Sequence, residues 1–169
     1  MRSGHLSWRS ALIGTLLLIG LVAVPATPAS ASGDWTWPLL GPVMRAFDPP
    51  ASTYGAGHRG IDIVAPVGTL VVAAAAGSVT FAGHVGGHLF VTVTHPGGLA
   101  STYSWVSALV VHKGDRVIAG QPIARSGSGH PGDILAHLHF GVKLDGAYVD
   151  PLQYLSPLDV GSFIRLAPI

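Results

Sequence analysis

Leu89-Phe90-Val91-Thr92-Val93-Thr94-His95-Pro96-Gly97-Gly98-Leu99-Ala100-Ser101-Thr102-Tyr103-Ser104-Trp105-Val106 is the stretch that decides the fold. Leu89 to Thr94 alternates β-branched and apolar residues, and Pro96-Gly97-Gly98 ends the run. Ala100 to Val106 and Leu109 to Val111 continue in the same manner. Upstream, Gly77 punctuates the apolar stretch Leu70 to Ala76, and Gly83, Gly86 and Gly87 follow Val79 to Ala82. Short runs bounded by glycine and proline read as strands and turns. No stretch offers an amphipathic helix with capping residues. The expectation is an all-β chain: a compact antiparallel sheet of barrel or sandwich type. A weak internal echo supports a sheet that folds over itself. Pro66-Val67-Gly68-Thr69-Leu70-Val71 is repeated loosely in Val111-His112-Lys113-Gly114-Asp115-Arg116-Val117, which runs on through Gly120-Gln121-Pro122-Ile123-Ala124.

The chain has 169 residues. Arg2, His5 and Arg9 precede a fourteen-residue apolar run, Ala11 to Val24, followed by Pro25, Pro28 and Ala29-Ser30-Ala31. A membrane span needs ~20 apolar residues, so this layout is that of a secretory signal peptide cleaved after Ala31. An uncleaved membrane anchor is the less favoured reading. The expected organisation is a signal peptide over 1–31, an N-terminal edge segment over 32–57, a core over 58–155 and a C-terminal tail over 156–169. Trp35, Trp37, Leu39, Val43 and Phe47 are expected to pack along the domain edge. Export would leave about 138 residues, enough for one core. They carry seven Lys or Arg against eight Asp, a formal charge of −1 with neutral histidines. With no basic tail or stripe, nucleic acid is excluded as the expected partner. There is no cysteine, so an exported domain would rest on its core without disulfides. Gly127-Ser128-Gly129 lacks the lysine and helix of a phosphate-binding loop, which sets a nucleotide site aside.

Candidate metal ligands stand in two short blocks, His58-Arg59-Gly60-Ile61-Asp62 and His137-Leu138-His139. Two histidines and a carboxylate suit a small divalent metal, zinc first. An open fourth position would hold water or substrate, which is hydrolytic chemistry. Gly60 argues for loop or extended structure between His58 and Asp62. Histidines at i and i+2 of a strand point to one side. If Ala136 to Val142 is a strand, His137 and His139 share a face while Leu138 and Phe140 pack on the other. Against this, eight histidines follow Ala31, and scattered pairs arise easily in such a chain.

A longer ordered series gives these blocks a context. It comprises His58-x-Gly60-x-Asp62-Ile63, Pro66-x-Gly68-Thr69, Val72-x-Ala74-x-x-Gly77-x-Val79, Val93-x-His95, Val111-x-x-Gly114-x-x-Val117-x-x-Gly120-Gln121-x-Ile123, Gly127-x-Gly129 and His137-Leu138-His139-Phe140. Tyr148-Val149-Asp150-Pro151-Leu152 closes it. From about Trp37 to Leu152 the chain resembles the M23 peptidase family, the lysostaphin-like or LytM-like peptidoglycan endopeptidases. That resemblance implies a lysostaphin-type fold, like a duplicated hybrid motif, with residues 58–155 as its core. It also implies His58, Asp62 and His139 as ligands of a Zn2+ ion, with His137 as the catalytic histidine beside it. The implied activity is hydrolysis of peptide bonds in bacterial cell-wall peptidoglycan by a secreted, wall-associated zinc metalloendopeptidase.

One position departs from the family. Active members commonly carry a second catalytic histidine in a Tyr-x-His-Leu segment, and here the aligned stretch is Tyr103-Ser104-Trp105-Val106. An indole donates one hydrogen bond and cannot take up a proton as imidazole does. A positioned acid–base group is worth about 10²–10⁴-fold in rate. Three readings follow. His137 acts alone; or His84, His88, His95 or His130 substitutes in space; or the domain is a catalytically weak or inactive, zinc-retaining one that binds peptidoglycan or activates a partner wall hydrolase. A carbohydrate-binding β-domain with Trp35, Trp37 and Trp105 as stacking residues is a further alternative. His95 and Tyr103 read equally as structural residues, and His112 as a surface one.

Overall fold

The computed structural model describes residues 34–52 and 55–158. The expected signal peptide and most of the expected tail lie outside them. Ten strands form: β1 (Val43–Arg45), β2 (Ile61–Val64), β3 (Leu70–Val72), β4 (Gly77–Val85), β5 (His88–Thr94), β6 (Leu99–Leu109), β7 (Arg116–Val117), β8 (Pro122–Ser126), β9 (His137–Leu144) and β10 (Ala147–Val149). A 3-10 turn over Pro151–Gln153 follows, capped by the Asp150 carboxylate, which accepts from the Leu152 N–H at 3.0 Å.

Every strand pairing is antiparallel. The sheet runs β1-β2-β9-β6-β5-β4-β7, with β10 on β9, and β8 pairing both β3 and β6. The all-β expectation holds, whereas the barrel does not close. β1 and β7, the ends of the path, do not pair. The sheet bends instead of closing, because β6 changes partners along its length. Its first half lies against β9 as far as Ser104↔His139, and its second half lies against β8 from Val106↔Ser126. Trp105 falls between the two. Against β5 the register also jumps there, from Phe90↔Ser104 to Leu89↔Val106, so Trp105 is the unpaired extra residue of a β-bulge.

Two expected strand extents change for local reasons. The apolar run from Leu70 gives a strand only to Val72, since the next amides turn elsewhere. The Ala73 N–H donates to the Gln121 carbonyl and the Ala74 N–H to the Tyr103 hydroxyl. The run Ala100–Val106 continues past the bulge to Leu109 in the single strand β6, and Val110 and Val111 lie beyond its end. The echoed segments do not occupy equivalent places. β3 from the first copy pairs β8, while β7 from the second pairs β4.

The core lies on one face of β2, β9 and β6. Ile61 sits opposite Phe140, Ile63 opposite Leu138, and Phe140 opposite Tyr103, all fully buried. Side chains alternate along a strand, so the other face of β2 and β9 receives Asp62, His137 and His139. Trp35 and Leu39 are buried, and Trp37, Val43 and Phe47 pack partly buried against the core.

A polar network runs under Trp35. His95 Nδ1–H donates to the Ala76 carbonyl at 2.8 Å, and His95 Nε2 lies 2.8 Å from the Ser101 hydroxyl. The Ser101 and Tyr103 hydroxyls are hydrogen-bonded at 3.1 Å. Tyr103 OH accepts from the Ala74 N–H at 2.7 Å, and the Trp35 ring packs against His95 at a tilt of 53°, with centroids 4.6 Å apart. Burial pushes the Tyr103 hydroxyl up to about 12, against the lowering effect of its bonds to Ala74 and Ser101. His95 and Tyr103 are thus structural, and His112, with its side chain 93% exposed, is on the surface.

Tyr103→Phe strands the buried Ala74 N–H, so urea denaturation should show a loss of about 1–3 kcal/mol. Burial holds the His95 imidazole below its ordinary 6.5, although the Ala76 carbonyl opposes this. An unfolded chain therefore takes up a proton that the folded one resists. Stability is full above about pH 6.5 and is lost as pH falls towards the depressed value. The denaturation midpoint should drop across that window, and His95→Gln should make the drop shallower.

Candidate metal centre

Register builds the site. Asp62 on β2 lies directly opposite His139 on β9, and cross-strand neighbours stand within side-chain reach. His58 precedes β2 and is anchored by a two-way backbone bridge to Asp48. Gly60 lets this segment run close under β9. A Cβ there would collide with the Phe140 carbonyl oxygen and come within 2.8 Å of His139 Nε2. His137 lies two residues before His139 on the same face, fully buried.

The donor atoms converge. His139 Nδ1 is 2.8 Å from Asp62 Oδ1 and 3.0 Å from His58 Nε2, and His58 Nε2 is 3.1 Å from Asp62 Oδ2. A fourth donor arrives from the loop between β8 and β9. His130 Nε2 lies 3.2 Å from His139 Nδ1 and 3.4 Å from Asp62 Oδ1. His58, Asp62, His130 and His139 together form a group that could hold a metal ion, with ligand atoms within 4.8 Å of one another.

The chemistry of these atoms fits a cation. His58 Nδ1–H donates to the Ala46 carbonyl at 2.8 Å, so its Nε2 turns a lone pair towards Asp62. Asp62 Oδ2 is buried without a hydrogen-bond partner. Lone pair faces lone pair at 3.1 Å, an arrangement a metal ion between them relieves. Burial alone would raise the Asp62 carboxyl. The hydrogen bond from His139 and the charges that His139, His58 and His130 carry when protonated outweigh it and hold the group below its usual range. His130 is pushed down, chiefly by burial and further by its neighbouring imidazoles, against the pull of Asp62.

His137 stands beside this group. Its Nδ1–H donates to the Leu135 carbonyl at 2.8 Å, so its Nε2 carries the lone pair. That atom accepts from the His130 backbone N–H at 3.2 Å, and lies 3.6 Å from Asp133 Oδ2 and 3.9 Å from Asp62 Oδ1. A histidine held in this tautomer can accept a proton from a water.

Trp105 takes the bulge conformation at φ +63°. This region is sparsely populated by bulky residues and several-fold enriched in histidine, asparagine and aspartate. The indole packs on His88 (centroids 4.2 Å apart), His130 (5.2 Å) and Phe90 (5.7 Å). A groove of about 250 Å3 runs past it, lined by Val67, His88, Trp105, Ser107 and Gly129 among others. The larger cavity of about 600 Å3, around Trp37, Leu40, Leu70 and Leu158, has no titratable side chain in its wall.

Of the four histidines weighed as substitutes, the structure brings only His130 to the cluster. His95 belongs to the network under Trp35. His88 abuts Trp105, and His84 is exposed on β4. Trp35, considered for stacking on sugars, is a core residue, while Trp37 Nε1–H is engaged by the Ser156 carbonyl at 2.8 Å. Sequence reasoning missed Asp133, which an irregular loop delivers to His137 without any periodic signal.

This fold and site define a metallopeptidase-type β-domain. The chain belongs to peptidase family M23, whose model matches residues 56–151. It carries the family's fold with a degenerate residue, Trp105, beside His130. It is 37% identical over 169 residues to an uncharacterized protein of Mycobacterium tuberculosis, covering 95% of this chain and 66% of that one. It is 34% identical over 132 residues to the murein hydrolase activator NlpD of Escherichia coli, covering 77% of this chain and 32% of that one. The chain thus spans about two thirds of the first relative's length and one third of the second's. Among solved structures, Csd3 of Helicobacter pylori superimposes with a TM-score of 0.63 at 30% identity, covering 75% of this chain and 36% of that one. The catalytic domain of the antimicrobial peptidase lysostaphin from Staphylococcus simulans gives 0.58 at 27% identity, covering 66% and 90%.

Gly60→Ala should push β9 away from Asp62 and cost about 1–3 kcal/mol, as overpacking does. Urea denaturation measures the cost, and metal analysis after dialysis should show a lower metal content than in the unsubstituted chain.

Proposed function

We propose that this chain is a zinc-retaining M23 domain that binds the peptides of bacterial peptidoglycan outside the cell membrane and hydrolyses them only weakly. The observation that carries this reading is Trp105, the indole at the bulge where the family resemblance places a second catalytic histidine. His58 Nε2, Asp62 and His139 Nδ1 are the proposed zinc ligands. Bound zinc would supply Lewis acidity to polarise a scissile carbonyl and activate a water. His137 Nε2 would take the proton of that water, with Asp133 and Asp62 close enough to stabilise the imidazolium. His88 and His130 pack against the indole, which itself fills the position of the missing imidazole. With one of two acid–base groups missing, a rate deficit of about 10²–10⁴-fold is expected. The groove beside Trp105 is the proposed path for an extended peptide.

The likeness to NlpD favours a second reading, in which the domain works by activating a partner wall hydrolase. Among the described residues no helix is long and apolar enough to cross a membrane. Several other relatives bear the name lipoprotein, which suits a place at the cell wall.

The test is release of new amino termini from purified peptidoglycan, with zinc and then with chelator, alongside metal analysis. The unsubstituted chain should hold about one zinc, as a single three-ligand site would, and release termini slowly in a chelator-sensitive way. Trp105→His suits the left-handed backbone and restores an imidazole, so it should raise release at least about tenfold. Fast release that Trp105→His leaves unchanged would overturn the weak-hydrolase reading.

A further inference from the structure

His130 is the one member of the donor cluster that lies far from the β2–β9 ladder in sequence register. It belongs to the loop joining β8 to β9, between Gly129 at φ +86° and Gly132 at φ +91°. Its side chain is 28% exposed, against 3% for His58, 0% for Asp62 and 12% for His139. A side chain at position 129 would collide with the His137 ring, so this loop can approach so closely only with glycine there.

His130 makes two separate contacts with the site. Its ring Nε2 lies 3.2 Å from His139 Nδ1 and 3.4 Å from Asp62 Oδ1. Neighbouring corners of a tetrahedron with zinc bonds of 2.0–2.1 Å are about 3.3 Å apart, so the ring stands where a fourth ligand belongs. Its backbone N–H occupies the His137 Nε2 lone pair. The other nitrogen of His137 is already committed to Leu135. One residue therefore fills the open corner of the metal site and ties up the proton acceptor beside it. Zinc with four protein ligands is closed, whereas a catalytic site keeps one position free.

We propose that His130 is a displaceable fourth ligand, a cap carried on the glycine-flanked loop, which a carbonyl-bearing peptide must dislodge before the metal and His137 become available. This rests on the zinc-retaining reading above. It adds a second cause of weak hydrolysis beside the imidazole missing at Trp105, whose indole packs on the His130 ring. Opening the loop frees both groups together, because the ring and the backbone N–H of one residue leave at once.

The experiment loads the full chain with cobalt(II), whose visible absorption reports coordination, and titrates it with acetohydroxamate as a small chelating probe. His130→Ala should bind acetohydroxamate at least about tenfold more tightly than the unsubstituted chain. Against a competing chelator it should hold zinc at least about tenfold more weakly, the lower end of what even an outer-shell partner is worth. His130→Asn, too short to reach the metal but still polar, should behave alike and serves if the alanine variant does not fold. Equal hydroxamate affinity in the folded variant and the unsubstituted chain, with normal metal uptake in both, would overturn the cap alone. An unsubstituted chain that takes up no metal would overturn the zinc-retaining reading and the cap with it.

Discussion

The pairing of Asp62 with His139 across β2 and β9 is the constraint on which the rest of the site depends. It puts a buried carboxylate and an imidazole face to face, and it also puts Ile61 on Phe140 and Ile63 on Leu138. The same register serves the core on one face and the metal centre on the other. A slip of one residue would turn Asp62 and both β9 histidines into the apolar interior, where an unpaired charge costs several kcal/mol. Gly60 guards this register by letting the chain pass beneath the Phe140 carbonyl.

A second constraint sits on β6. This strand serves two neighbours in succession, β9 and then β8, and the change of partner is taken up at Trp105. The bulge turns the backbone into the left-handed region and directs the side chain towards the β8–β9 loop. A compact imidazole would suit both the conformation and the chemistry. The indole instead packs among His88, Phe90 and His130. It trades proton transfer for contact area, and it backs the loop that carries His130.

Electrostatics ties these parts together. Asp62 stands among four imidazoles, three of which approach it within 3.4 Å. Ala46 and Leu135 carbonyls each engage the Nδ1–H of a histidine and leave its Nε2 facing the site. Such outer contacts set tautomer and ring direction as firmly as the ligands themselves. They leave lone pairs converging on one point, with Asp62 Oδ2 unsatisfied.

Much of this was legible in the chain. Alternation and glycine spacing determined an all-β fold. The His137-Leu138-His139-Phe140 pattern, given a strand, determined which side chains face the site, because side-chain direction along a strand has a period of two residues. The family resemblance, laid on Tyr103-Ser104-Trp105-Val106, implied where an imidazole is missing. Tertiary structure alone decided that the sheet stays open, since closure depends on whether distant edge strands meet. It alone decided among the spare histidines, selecting His130 and sending His95 to a structural network, and it alone placed Asp133 beside His137. Those outcomes follow from where loops and bulges carry the chain in three dimensions. Local residue patterns do not encode them, because such contacts join segments whose separation along the chain has no fixed relation to their separation in space.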